Sequence, residues 1–130
     1  MKRLFLLFLI FLIFVSGCFQ PSLRSIVKNP DRAINECNKY EDVEETKGCL
    51  MKFAKDVSLI SKETSIIICN NLESGYGKNK CLFGVFSNLE ASGRLDEGIE
   101  VCKHIEKEGF LEFCEKRREG GSIMVAPSLA

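Results

Sequence analysis

The chain has 130 residues, 18 basic and 18 acidic side chains, and a formal net charge of zero. That length holds one domain rather than two, and the balanced charge offers no basic surplus for a nucleic acid. Seven cysteines stand beside a single histidine, so if cysteines pair, one is left for another role.

Met1-Lys2-Arg3 is a short basic start, and Leu4 to Val15 is an unbroken run of twelve apolar residues ahead of Ser16-Gly17-Cys18. This is the order of a secretory signal: basic, apolar, then small. As a helix, twelve residues rise about 18 Å, short of a bilayer core of roughly 30 Å. The alternative is an uncleaved single-pass membrane anchor. Val15-Ser16-Gly17-Cys18 resembles the lipobox of prokaryotic lipoproteins. The resemblance implies that residues 1–17 are a signal peptide that is removed. It implies that Cys18 carries a thioether-linked lipid, becomes the new N-terminus and holds the protein on the extracytoplasmic side of a cell membrane or envelope. Two acyl chains attach a protein stably where one is marginal. The other reading of Cys18 is a disulfide partner behind an ordinary signal peptide. Removing Lys2 and Arg3 leaves 16 basic against 18 acidic groups. Four phenylalanines leave with them, and there is no Trp, so the remaining core benefits from covalent staples.

Residues 18–28 read as the lipidated N-terminus and a linker, with the domain running over 29–119. The six further cysteines are Cys37, Cys49, Cys69, Cys81, Cys102 and Cys114, separated by 12, 20, 12, 21 and 12 residues. Three copies of one interval, starting 32 and then 33 residues apart, predict three helical hairpins, about 29–58, 61–91 and 94–119. The flanks repeat as well. Four residues before the first cysteine stand Ala33, Ser65 and Gly98, all small; three before stand Ile34, Ile66 and Ile99; three after stand Tyr40, Leu72 and Ile105. These positions share one side of a helix, so each cysteine lies in an apolar stripe that a neighbouring helix can approach closely.

Twelve residues of unbroken helix would hold the paired cysteines about 18 Å apart, and a disulfide needs Cα atoms within about 7 Å. The chain must turn back inside each interval. Asp42 with Glu45 has capping-box spacing, Ser74-Gly75-Tyr76-Gly77 is a break, and Gly109 marks the third midpoint. The symmetric pairing is Cys37–Cys49, Cys69–Cys81 and Cys102–Cys114, one of fifteen possible. Each bridge would close a loop of about 13 residues, worth roughly 3 kcal/mol. Asn29-Pro30-Asp31 and Ser61 read as helix starts, and Gly93 sits near the third. Leu50, Phe53, Ala54 and Val57, then Leu82, Val85, Phe86 and Leu89, continue the stripes after the second cysteines. The third repeat places Phe110, Leu111 and Phe113 before Cys114 and then turns polar through Glu115–Glu119, as a stack's outer end requires. Residues 120–130, uncharged and with Pro127, read as a flexible tail.

The segment ASGRLDEGIEVCKHI, Ala91–Ile105, resembles the opening of a tetratricopeptide-type helical hairpin in its small-Gly junction, Leu-Asp-Glu start and apolar spacing. The first two repeats lack the Gly-x-Leu-Asp opening, and paired cysteines are no part of that family pattern. The resemblance implies an αα-solenoid and protein or peptide binding, and supplies no ligand residues. The expectation is therefore an all-α fold of three disulfide-stapled αα-hairpins stacked as a short solenoid.

Zinc sites draw on cysteines two to four residues apart, and redox sites on C-x-x-C or a low-pKa thiol; neither spacing occurs. Export favours structural disulfides. His104, between Lys103 and Ile105, reads as an exposed helix residue rather than a general base, and Glu41, Asp42, Glu44 and Glu45 as a loop and first helical turn rather than a cation site. Tyr76, on the Gly-rich turn, is the candidate partner contact, with packing on its own hairpin as the other reading. The functional expectation is a non-enzymatic protein-binding or assembly module on a lipid anchor, with no cofactor or metal. The alternatives are an exported thiol-redox or metal-binding protein, or a single-pass membrane protein.

Overall fold

A computed structural model of the protein describes residues 21–120, and every regular element among them is an α-helix. The helices are α1 (Leu23–Lys28), α2 (Asp31–Cys37), α3 (Val43–Val57), α4 (Lys62–Asn70), α5 (Tyr76–Ala91), α6 (Leu95–Cys102) and α7 (Glu108–Arg118). α2–α3, α4–α5 and α6–α7 are three hairpins, each with a five-residue turn: 38–42, 71–75 and 103–107. Among the described residues no helix is long and apolar enough to cross a membrane.

Local chemistry sets the ends of these helices. Asp42 Oδ1 accepts from the backbone N–H of Glu44 at 2.9 Å and of Glu45 at 3.0 Å, closing the start of α3. Ser61 Oγ does the same for Thr64 at the start of α4, and Asn29 Oδ1 accepts from Asp31 N ahead of α2. These side chains take up amide protons that a helix start leaves without partners. At the end of α5, Gly93 adopts φ +79° and Arg94 N donates to Leu89 O, a left-handed reversal that suits glycine.

The disulfides are Cys37–Cys49, Cys69–Cys81 and Cys102–Cys114, with Cα–Cα distances of 5.5, 5.6 and 6.1 Å. This is the pairing within hairpins that the spacing predicts. The bridges are placed asymmetrically about each turn. The first cysteine of each pair closes its helix or stands one residue short of the end, while the second is the sixth or seventh residue of the next helix. A long second helix thus begins beside the end of a short first one.

The hairpins stack in chain order. α3 packs on α4 of the next hairpin as well as on α2, and the heaviest helix–helix contact joins α5 to α6. Ile68, Leu82, Val85, Phe86, Leu89 and Val101 are all fully buried and run through the stack as one core. The small residues four before each first cysteine explain how closely the hairpins approach. Ala33 and Ser65 have no exposed surface, and Ser65 Oγ donates to Ala54 O of α3 at 2.7 Å. A Cβ on Gly98 would stand 3.0 Å from Phe86 Cδ2 and 3.3 Å from Phe86 O.

Two features differ from the sequence reading. Leu23–Lys28, taken as linker, is a helix: Ser22 caps it, Ile26 is fully buried, and it packs on α2 and α3. Leu23, Ile26 and Val27 have helical apolar spacing, a signal hidden by the segment's shortness. Tyr40, expected in the apolar stripe with Leu72 and Ile105, is 50% exposed, whereas Leu72 and Ile105 are 6% and 3% exposed. Hairpins two and three are each laid against a preceding long helix. Among the described residues the first has only the six-residue α1 before it, and Tyr40 lies in the part that α1 leaves uncovered.

Candidate functional site

Among the described residues, stacking leaves one face of the first hairpin without a long helix before it. The repeat register identifies it. Asn88 of α5 donates from Nδ2 to Lys55 O at 3.1 Å and to Ser58 Oγ at 2.9 Å, so this edge of α5 faces α3. Thirty-two residues earlier the corresponding edge of α3 carries Cys49, Lys52, Phe53 and Asp56. These four line an open groove of about 630 Å³ together with Pro21, Leu23, Glu36, Tyr40 and Glu45. The groove therefore occupies the position in which another hairpin's long helix would lie. Its wall combines apolar surface from Leu23, Tyr40 and Phe53 with three carboxylates, Glu36, Glu45 and Asp56, against the single Lys52. Glu36 is further paired with Lys39 at 2.5 Å. Val43, 64% exposed, adds apolar surface at the start of α3.

Tyr76 opens α5 and is 43% exposed. It packs on the third hairpin: its ring centroid is 6.3 Å from that of Phe110, and Lys107 Nζ lies 5.1 Å over the ring. Lys80 Nζ, from its own hairpin, lies 5.8 Å from the ring centroid. Tyr76 is thus the outer member of an aromatic group in which Phe83 meets Phe110 at 5.2 Å and Phe113 at 5.0 Å. Phe83 stood outside the predicted stripe; it lies two residues after Cys81, on the flank that meets the next hairpin.

Polar side chains hold the hairpins in register. Asn79, 2% exposed, accepts at Oδ1 from Glu106 N (2.8 Å) and Lys107 N (3.2 Å), and donates from Nδ2 to Gly75 O. It holds the turn immediately ahead of α7, whose N-cap Lys107 makes no side-chain capping bond. Arg94 grips both Glu97 oxygens at 2.6 Å and donates from Nη1 to Leu59 O. Those bonds hold the Glu97 carboxyl below its ordinary value. Lys62 pairs with Glu100 across to α6; the bond lowers the pKa of Glu100 and raises that of Lys62.

Of the other residues singled out, His104 is exposed in the turn after α6. Glu41, Asp42, Glu44 and Glu45 are exposed at the first hairpin turn, with Asp42 occupied as a cap. Among the described residues no three His, Cys, Asp or Glu side chains come together as a metal site. All six domain cysteines are bridged. Cys18, the signal peptide expected over 1–17 and the tail expected over 120–130, beyond Gly120, lie outside the described residues. Comparison with family models, curated proteins and solved structures found no match.

Proposed function

We propose that the protein is an exported lipoprotein, held through a lipid on Cys18 at the extracytoplasmic side of a membrane, that works by binding a protein partner rather than by catalysis. The observation that carries this reading is the cysteine accounting. Three hairpin bridges use six cysteines, and the seventh stands in the lipobox-like Val15–Cys18 after a basic and apolar leader. Bridges of this kind persist in oxidising, extracytoplasmic surroundings. The tetratricopeptide-like hairpins support binding as the activity.

The groove at the first hairpin is the proposed docking face. Its occupant is an amphipathic helix of a partner protein with a basic edge. The groove replaces a helix of the stack, and its carboxylates outnumber its lysine three to one. Helix-in-groove recognition of this type rests on apolar anchors, with charge setting orientation. Residues 18–21 span at most about 11 Å of chain, which keeps the groove near the lipid and suits a partner at the same membrane. Tyr76 is a secondary candidate contact, through its exposed edge.

Mass spectrometry of the native protein tests the anchor. The expected species begins at Cys18, carries a lipid mass and contains three bridges. A first residue other than Cys18, or an unmodified Cys18, overturns it. Capture with the full chain and with Phe53→Glu tests the groove. A partner held by the wild type and lost by the variant is expected; equal recovery by both rules the groove out.

A further inference from the structure

We propose that the Cys37–Cys49 bridge is a thiol–disulfide exchange site, opened from the groove at Cys49 Sγ by a thiol that carries positive charge beside its sulfur. Of the six bridged cysteines, Cys49 alone keeps part of its surface; the other five are at most 5% exposed. Cys49 lies on the floor of the groove of about 630 Å³, in a stripe of α3 formed by Glu45, Gly48, Cys49, Lys52, Phe53 and Asp56. Steps of three and four residues put these side chains on one face of the helix. The residue before Cys49 is a glycine whose added Cβ would meet nothing within 4 Å, so the space beside the cysteine is open.

The other two bridges are shielded. Cys81 holds the equivalent place on α5, seven residues before Asn88, whose bonds to Lys55 O and Ser58 Oγ lay that edge against α3. Cys81 and Cys69 are buried inside the stack. Cys102 and Cys114 line a smaller slot of about 200 Å³ at the far end, and both are buried.

A disulfide exchanges through attack by a thiolate, so access and the field around the sulfur set the rate. The incoming thiolate forms a bond to Cys49 Sγ and the Cys37–Cys49 bond breaks. Its electron pair leaves with Cys37 Sγ, which takes a proton from water. One disulfide is exchanged for another, and no further oxidant or reductant is consumed. Cys37 stays on α2 beside Cys49, and its thiol displaces the newcomer when free thiol is withdrawn. Charge selects the thiol. Glu45 stands one turn before Cys49, Asp56 two turns after it and Glu36 next to Cys37, with Lys52 the single cation among the described lining residues. A field of that sign repels an anionic thiol and favours a cationic one. The bridge ties α2, which supplies Glu36 to the wall, to α3, which supplies the floor, so opening it loosens the groove. The exchange needs the groove's geometry alone, and stands or falls apart from the lipid anchor and from helix docking.

The test exposes the native full chain, without denaturant and at low ionic strength, to cysteamine and in parallel to 2-mercaptoethanesulfonate. Differential alkylation and mass spectrometry follow each bridge, and each rate is referred to the same thiol's rate on an uncharged model disulfide. Cys37–Cys49 is expected to open first, about fivefold faster with cysteamine than with the sulfonate on that scale. Earlier opening of either other bridge, or equal rates for the two thiols, overturns the proposal. So does an equal preference for cysteamine at Cys102–Cys114, whose slot carries Lys103 and Arg118 against Glu115. In the second measurement, Glu45→Gln combined with Asp56→Asn removes two exposed carboxylates from the groove and is expected to lower the preference at Cys37–Cys49 by about twofold. An unchanged preference overturns the proposal equally.

Discussion

Gly98 shows how one missing side chain sets the spacing of two hairpins. Alanine in a helix interior is usually worth ~0.5–1 kcal/mol over glycine. At Gly84 and Gly48, where a Cβ meets nothing within 4 Å, that gain is expected in full. At Gly98 the same methyl meets Phe86, whose ring is fully buried and whose carbonyl belongs to α5. Overpacking of this kind costs ~1–3 kcal/mol, so Gly98→Ala is expected to destabilise by about 1 kcal/mol net. Urea unfolding of Gly98→Ala and Gly84→Ala should shift the midpoints in opposite directions. Asn79 makes the polar counterpart. Asn79→Ala strands the Glu106 and Lys107 amides near a buried site, at a cost of about 2 kcal/mol. The same unfolding measurement is expected to show that loss, with faster amide exchange at the start of α7. The glycine was legible from sequence as one of three small residues at a fixed offset from a cysteine. The asparagine was not, because its partners are backbone groups 27 and 28 residues away.

At the scale of elements, the cysteine period exposes the hairpins because it is a distance constraint as well as a pattern. A bridge over twelve residues forces a turn wherever it occurs. The hidden element was α1, whose six residues carry too few turns for periodicity to stand out. The groove was hidden for a related reason: among the described residues no long helix precedes α2 and α3 to fill it, and no residue type marks an absence. The ends of the stack also make the hairpins unequal. Among the described residues the second is packed on both sides, while the third packs mainly on α4 and α5. Its bridge should therefore carry the largest share of local order. Replacing both Cys102 and Cys114 by Ser is expected to cost roughly 3 kcal/mol and to open α6–α7 before the rest. Limited proteolysis should then cut in 103–107 while residues 31–91 remain protected. Cleavage distributed evenly over the three turns would contradict this order.

For the molecule as a whole, the balance between core and staples decides the response to reduction. The core is continuous but narrow: its largest fully buried side chains are Phe86 and a few aliphatic residues spread over three hairpins. Domains of this size hold a net stability of about 5–15 kcal/mol. Three bridges of roughly 3 kcal/mol each are of the same order as that whole margin. Because each loop closes within its own hairpin, the three contributions act on separate segments and add. Full reduction is therefore expected to unfold the chain rather than merely loosen it. Circular dichroism in excess thiol should show helical signal falling at 25 °C and the cooperative thermal transition disappearing, and both should return on reoxidation. A reduced protein that melts cooperatively near the temperature of the oxidised one would show that packing alone suffices. In that case the repeated cysteine interval would need an explanation other than stability.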